Sequence, residues 1–86
     1  MDEKELYSRL GYVKISKYRT KTLKSLGDDV KMPSEIAREN DVKTSQISAA
    51  LSDLKKEGLV ICINDNVRKG RLYKATEDGL KLIRIL

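Results

Sequence analysis

The chain has 86 residues, 36% of them charged, with a formal net charge of +5, a single Cys and no His. That length accommodates one small domain, and the positive excess suits a polyanionic partner. One cysteine excludes an internal disulfide, and without His it leaves no metal-ligand cluster, so no metal and no cofactor are expected.

The opening MDEKELYSRL is too polar for a signal peptide. No apolar run approaches the roughly 20 residues that span a bilayer, and the expected location is a reducing cytoplasm. Residues 1–13 form a leading helix or arm, with a short helix around Tyr7–Tyr12 and Leu6, Tyr7 and Leu10 on one side. Ser16 is an N-cap for a helix over Lys17–Leu26, striped by Leu23 and Leu26 and bordered by Thr22; Gly27 stops it. Pro33 suits the first position of a short helix reaching Asn40, with Glu35 in its first turn and Ile36 and Ala37 inward. After a tight turn, Ile47, Ala50, Leu51 and Leu54 fall within about 100° of arc, the pattern of an amphipathic helix; it covers about 44–57 and Gly58 ends it. LVICIN and RLYKA are β-prone runs joined by DNVRKG, a hairpin with a Gly-containing loop. Cys62, inside the first run, reads as a buried small hydrophobe. Thr76 caps a last helix over 76–86, in which Leu80 and Ile83 face the core while Leu82, Ile85 and Leu86 point elsewhere.

The expected fold is therefore mainly α with a small β-hairpin: three core helices and a two-stranded wing, flanked by short terminal helices.

Charge is unevenly distributed. Residues 14–31 hold six basic side chains against Asp28 and Asp29, and residues 58–75 hold Arg68, Lys69, Arg71 and Lys74 against Asp65. Between these blocks, Ser45–Ser52 carries no charge. The outward arc of the third core helix holds Ser45, Ser48, Ala49, Ser52 and Lys56, with Thr44 and Gln46 near its start, Lys43 before it and no acid in its first turn. Small polar side chains let a helix lie deep in a groove, where Ser, Thr and Gln bond base edges and methyls meet thymine. An acid at the helix start would repel phosphates, although the helix dipole favours one there. The alternatives are that Ser and Ala fill an exposed face by chance, or that the face contacts another protein. Arg68, Lys69 and Arg71 at the hairpin tip suit a minor groove or phosphates, or they form a solvated turn protecting a strand edge. Ser16, Lys17 and Arg19, at the start of the first core helix, suit a phosphate anchor; Lys21 and Lys24 read equally as solvated.

The run PSEIARENDVKTSQISAALSDLKKEGLV, then RKGRLYKATEDG, resembles the winged helix-turn-helix transcriptional regulators of bacteria and archaea, of the broad MarR and ArsR type, over residues 15–80. The resemblance implies that Thr44, Ser45, Gln46, Ser48, Ala49 and Ser52 face a major groove. It implies that Arg68, Lys69 and Arg71 serve the wing, with Tyr73 and Ala75 packing its second strand. This chain departs from that pattern in four places. Asn40 replaces an apolar residue and Asp41 a common Gly. Lys43 replaces a Ser or Thr cap, moving the cap to Thr44 or Ser45. Ala49 replaces a frequent Arg, which removes bidentate guanine reading and shifts readout toward thymine methyls and DNA shape.

The function expected is sequence-specific double-stranded DNA binding by a regulator acting as a repressor. The alternatives are a protein-interaction module of the same fold and a nucleic-acid accessory protein of little sequence preference. No Gly-rich phosphate loop or nucleophile–base pair is present, so no enzyme is expected. The apolar residues around the last helix call for a second covering surface, either the leading helix or a second subunit; a homodimer through the N- and C-terminal helices is expected. On this reading Gln46→Ala alters sequence preference and Lys69→Ala weakens binding to all sequences alike.

Overall fold

A computed structural model describes residues 1–86. Its elements run α1 (Glu3–Lys14), α2 (Lys17–Leu26), α3 (Pro33–Asn40), α4 (Thr44–Lys56), β1 (Val60–Cys62), β2 (Tyr73–Ala75) and α5 (Glu77–Ile83), the order expected from the sequence. No helix is long and apolar enough to cross a membrane.

The first helix is longer than the apolar spacing implied. Asp2 caps it, its carboxylate accepting from the Glu5 N–H at 2.8 Å, and Glu3 and Glu5 favour the positive end of the dipole. Ser16 caps α2 through the Arg19 N–H at 3.2 Å. Gly27 closes α2 at φ 50°, ψ −127°, a conformation open to glycine alone. Pro33 takes the first position of α3, where its missing N–H costs nothing. Asp41 ends that helix in the left-handed region at φ 54°, which its short polar side chain tolerates. Asn40, which stands where the regulators this sequence resembles usually have an apolar residue, donates to Ser25 Oγ and to the Ile36 carbonyl, each at 2.8 Å, and so ties α3 to α2.

α2, α3 and α4 enclose a core of Leu23, Leu26, Ile36, Ile47, Leu51 and Leu54, all without solvent exposure, extended by Val13, Leu59, Val60 and Leu82. Thr22 lies in this core as well, fully buried rather than at its border, and its hydroxyl has no partner. The C-terminal helix differs from expectation in the same respect. Leu82 is the residue fully buried, while Leu80 and Ile83 are half-buried at the core's margin. Gly79 sets this rotation, because α5 meets the Leu59 carbonyl so closely at Gly79 that a Cβ there would lie 2.1 Å from the oxygen. The side of α5 that carries Gly79 and Leu82 is therefore the inner one. Leu6 and Leu10 of α1 and Leu86 beyond α5 also pack on the core margin, whereas Tyr7, Ile15 and Ile85 are exposed.

The wing is an antiparallel pair with Val60 opposite Ala75, Ile61 opposite Lys74 and Cys62 opposite Tyr73. Its strands are shorter than the β-prone runs because Asn64 takes over the ladder. Asn64 Oδ1 accepts the Leu72 N–H at 2.7 Å, and Asn64 Nδ2 donates to the Gly70 carbonyl at 3.1 Å. Cys62 is half-buried rather than buried, its thiol 3.6 Å from Asn64 Oδ1. On the other edge of β2, Tyr73 exchanges both backbone hydrogen bonds with Lys31, at 2.9 and 3.0 Å, which fastens the wing to the α2–α3 connection.

Candidate nucleic-acid interface

Lys43 is the N-cap of α4, and its side chain has no acceptor to offer; neither Thr44 nor Ser45 caps in its place. Gln46 performs half of a capping box instead, its Oε1 accepting from the Lys43 N–H at 3.2 Å. With Ile47, Ala50, Leu51 and Leu54 buried, the helix turns Thr44, Ser45, Ser48, Ala49 and Ser52 outward, all exposed and uncharged.

This face forms one wall of an open groove. Thr44, Ser48, Ser52 and Lys55 line it from α4, Pro33 and Ser34 from the start of α3, and Arg68, Gly70, Arg71 and Tyr73 from the wing. No acidic side chain lines the groove. Arg68 and Lys69 are exposed at the wing tip and form no ion pair, so their charge is available to a ligand. Arg71 is less available. Its guanidinium donates to the Val67 carbonyl at 2.7 Å and the Asp65 carbonyl at 3.4 Å, holding the loop that presents its neighbours. Gly70 completes that loop at φ 71°.

A second concavity lies on the other side of the α4 N-terminus, lined by Lys17, Tyr18 and Lys21 of α2, by Asn40–Lys43 of the turn, and by Gln46. Three lysines face one carboxylate there, that of Asp41. The uncharged face of α4 is thus flanked by positive charge on both sides, as the charge blocks in the sequence implied.

Not every expected contact residue reaches this surface freely. Arg19 was expected in the phosphate anchor. Its guanidinium instead lies over the Tyr12 ring at 3.8 Å, donates to the Tyr12 carbonyl at 3.0 Å and pairs with Asp53 at 3.2 Å. It welds α1, α2 and α4 together and is a structural residue. Ser16 spends its hydroxyl oxygen on the α2 cap. Gln46 is only half exposed, and both ends of its amide are engaged, Oε1 by Lys43 and Nε2 by the Tyr18 hydroxyl at 2.7 Å. Lys31 of the first basic block pairs with Glu39 at 2.9 Å and donates to the Ser25 carbonyl at 2.7 Å, away from the groove. Conversely, Lys21, which also read as solvated, and Lys55 and Tyr18, which were not expected at this surface, line the two concavities. Lys55 stands three and seven residues after the outward Ser52 and Ser48, so the helical repeat could have found it; Tyr18 carried no such signal.

Three core helices with a hairpin fastened beside the third, and a small-residue face on that third helix, make this a winged-helix fold. No family model matches the sequence, and no curated protein matches it. Solved structures do. TubR bound to 24 bp of tubC from Bacillus thuringiensis serovar israelensis pBtoxis superposes with a TM-score of 0.78 at 8% identity, covering 93% of this chain and 89% of that one. Reduced HlyU from Vibrio cholerae N16961 superposes with a TM-score of 0.68 at 20% identity, covering 100% of this chain and 94% of that one. At such identities the likeness establishes the fold.

Proposed function

We propose that this protein is a sequence-specific double-stranded DNA-binding regulator of the MarR and ArsR type that represses by occupying its site. α4 enters the major groove with Thr44, Ser45, Ser48, Ala49 and Ser52 toward the bases. Arg68 and Lys69 of the wing meet phosphates or the adjacent minor groove. Phosphate contacts position the protein and base contacts specify the sequence. The observation that carries this reading is the acid-free groove between an uncharged α4 face and the basic wing. TubR, of the same fold, is bound to DNA, which supports the assignment.

We further infer a homodimer through α1 and α5, supported by Tyr7 and Ile85, which are 59% and 43% exposed beside the terminal helices' packed margins. A two-fold dimer reads half-sites about one DNA turn apart.

The test is selection from a randomised duplex library, followed by affinity measurements with Lys69→Ala and Ser48→Ala. Lys69→Ala should weaken binding to all sequences alike and lower the salt slope by about 0.9. Ser48→Ala should change the ranking of sequences. If selection enriches no sequence, the base-reading assignment fails.

A further inference from the structure

The hydrogen bonds around Gln46 leave one proton, that of the Tyr18 hydroxyl, without a partner. The Lys43 backbone N–H can only donate, so the Gln46 atom 3.2 Å from it must be the carbonyl oxygen. That fixes the amide orientation and turns Nε2, which can only donate, toward Tyr18 Oη at 2.7 Å. Tyr18 Oη is therefore the acceptor in that bond, and its own O–H proton is left over. No acceptor in the protein takes it. The hydroxyl sits in the concavity beside α4, with Lys17, Lys21 and Lys43 around it and Asp41 as the one carboxylate. Lys17 Nζ, 5.1 Å from the Tyr18 ring centroid, places a positive charge over the ring face.

We infer that this concavity is a phosphate-binding site in which Tyr18 is the oriented hydrogen-bond donor, and that Gln46 is a positioning residue for Tyr18 rather than a reader of bases. The ligand is a backbone phosphate of duplex DNA, so the inference rests on the function proposed above. A hydroxyl donating to an anionic oxygen makes a short, charge-assisted hydrogen bond. Three lysines supply the long-range attraction, and the hydroxyl supplies the fixed direction that flexible ammonium groups lack. The site lies at the N-terminal end of α4, so a phosphate held there fixes how far that helix advances along the groove.

The two kinds of contact leave different signatures. A lysine–phosphate contact displaces a counterion and steepens the salt dependence by about 0.9. A neutral hydroxyl displaces none. Tyr18→Phe, which keeps the ring under Lys17, should bind duplex DNA about tenfold more weakly. That loss should be the same on every sequence and at every salt concentration, with an unchanged slope. Lys21→Ala should lower the slope by about 0.9. Gln46→Ala should weaken binding uniformly, and in the Tyr18→Phe background its further effect should shrink to what losing the Lys43 cap alone costs.

The measurement is fluorescence anisotropy of a labelled duplex titrated with wild type and these variants at several salt concentrations, repeated on a small set of sequences. Wild-type affinity from Tyr18→Phe, an unchanged slope from Lys21→Ala, or altered sequence preference from Gln46→Ala would each overturn the inference. If the wild type binds no duplex, the proposed function fails first and this site falls with it. If the wild type binds and Tyr18→Phe matches it, only the Tyr18 assignment is lost.

Discussion

Replacing Gly79 by Ala tests how α5 is seated, and the structure gives the size of the effect. Gly79 lies in the first turn of α5, where its N–H donates to the Thr76 hydroxyl at 3.1 Å. A Cβ added there would stand 2.1 Å from Leu59 O, 3.1 Å from Leu59 C and 3.3 Å from Ala75 Cβ. The obstacle is backbone, which cannot rotate aside as a side chain would. Relieving it means moving α5 or the Leu59 peptide by about 1 Å, estimated from the overlap. The Leu59 carbonyl already accepts the Thr76 N–H at 3.0 Å, and Thr76 Oγ1 donates to the Gly58 carbonyl at 2.7 Å. A shift of that size weakens this knot at the base of the wing. Overpacking of this kind costs about 3 kcal/mol, the upper end of its usual range. Ala recovers up to about 1 kcal/mol of helix propensity. The net loss of about 2 kcal/mol corresponds, for a domain of this size, to a Tm lower by about 8–16 °C. Thermal unfolding followed by circular dichroism measures it. An alanine variant as stable as wild type, or more so, would show that helix propensity dominates and that α5 does not approach Leu59 so closely.

Three further outcomes follow from the same packing and charge arguments. Leu82→Ala should destabilise by about 2–5 kcal/mol in denaturant titrations, whereas Leu80→Ala should cost clearly less, because Leu82 alone of the two is fully buried. Arg19→Ala should lower stability by about 2 kcal/mol, since it leaves Asp53 and the Tyr12 carbonyl without their partner; loss of DNA affinity with full stability would restore Arg19 to the interface. Ser48→Glu should abolish duplex binding while leaving the Tm within about 2 °C, because the position is exposed and a carboxylate there repels phosphates; retained binding would remove α4 from the groove.

Much of this architecture is legible in the sequence. Ser16, Gly27, Pro33, Asn40 and Gly58 mark helix ends by their own backbone chemistry, and α2, α3 and α4 lie where those signals put them. The face of α4 follows from the helical repeat alone. What escaped depends on partners distant in the chain. Arg19 and Gln46 are residue types that suit DNA, and nothing local shows that Asp53 and Tyr12 claim the first, or Tyr18 the second. The inner side of α5 is partly defined by Gly79, which has no side chain to contribute to an apolar pattern, so Leu80 and Ile83 looked like the buried pair. The Lys31–Tyr73 bridge joins single residues and has no periodicity to read.

The most direct test of the account is the salt dependence of wild-type binding to a labelled duplex of mixed sequence. On the proposed function, Lys17, Lys21 and Lys43 on one side of α4 and Lys55, Arg68 and Lys69 on the other meet phosphates. If all of them engage, log affinity falls with log salt at a slope of about −5, which is a loss of about a thousandfold between 50 and 200 mM. That result is the one predicted. Absence of binding at 50 mM salt, or a slope shallower than about −2, would contradict the claim that this surface grips DNA.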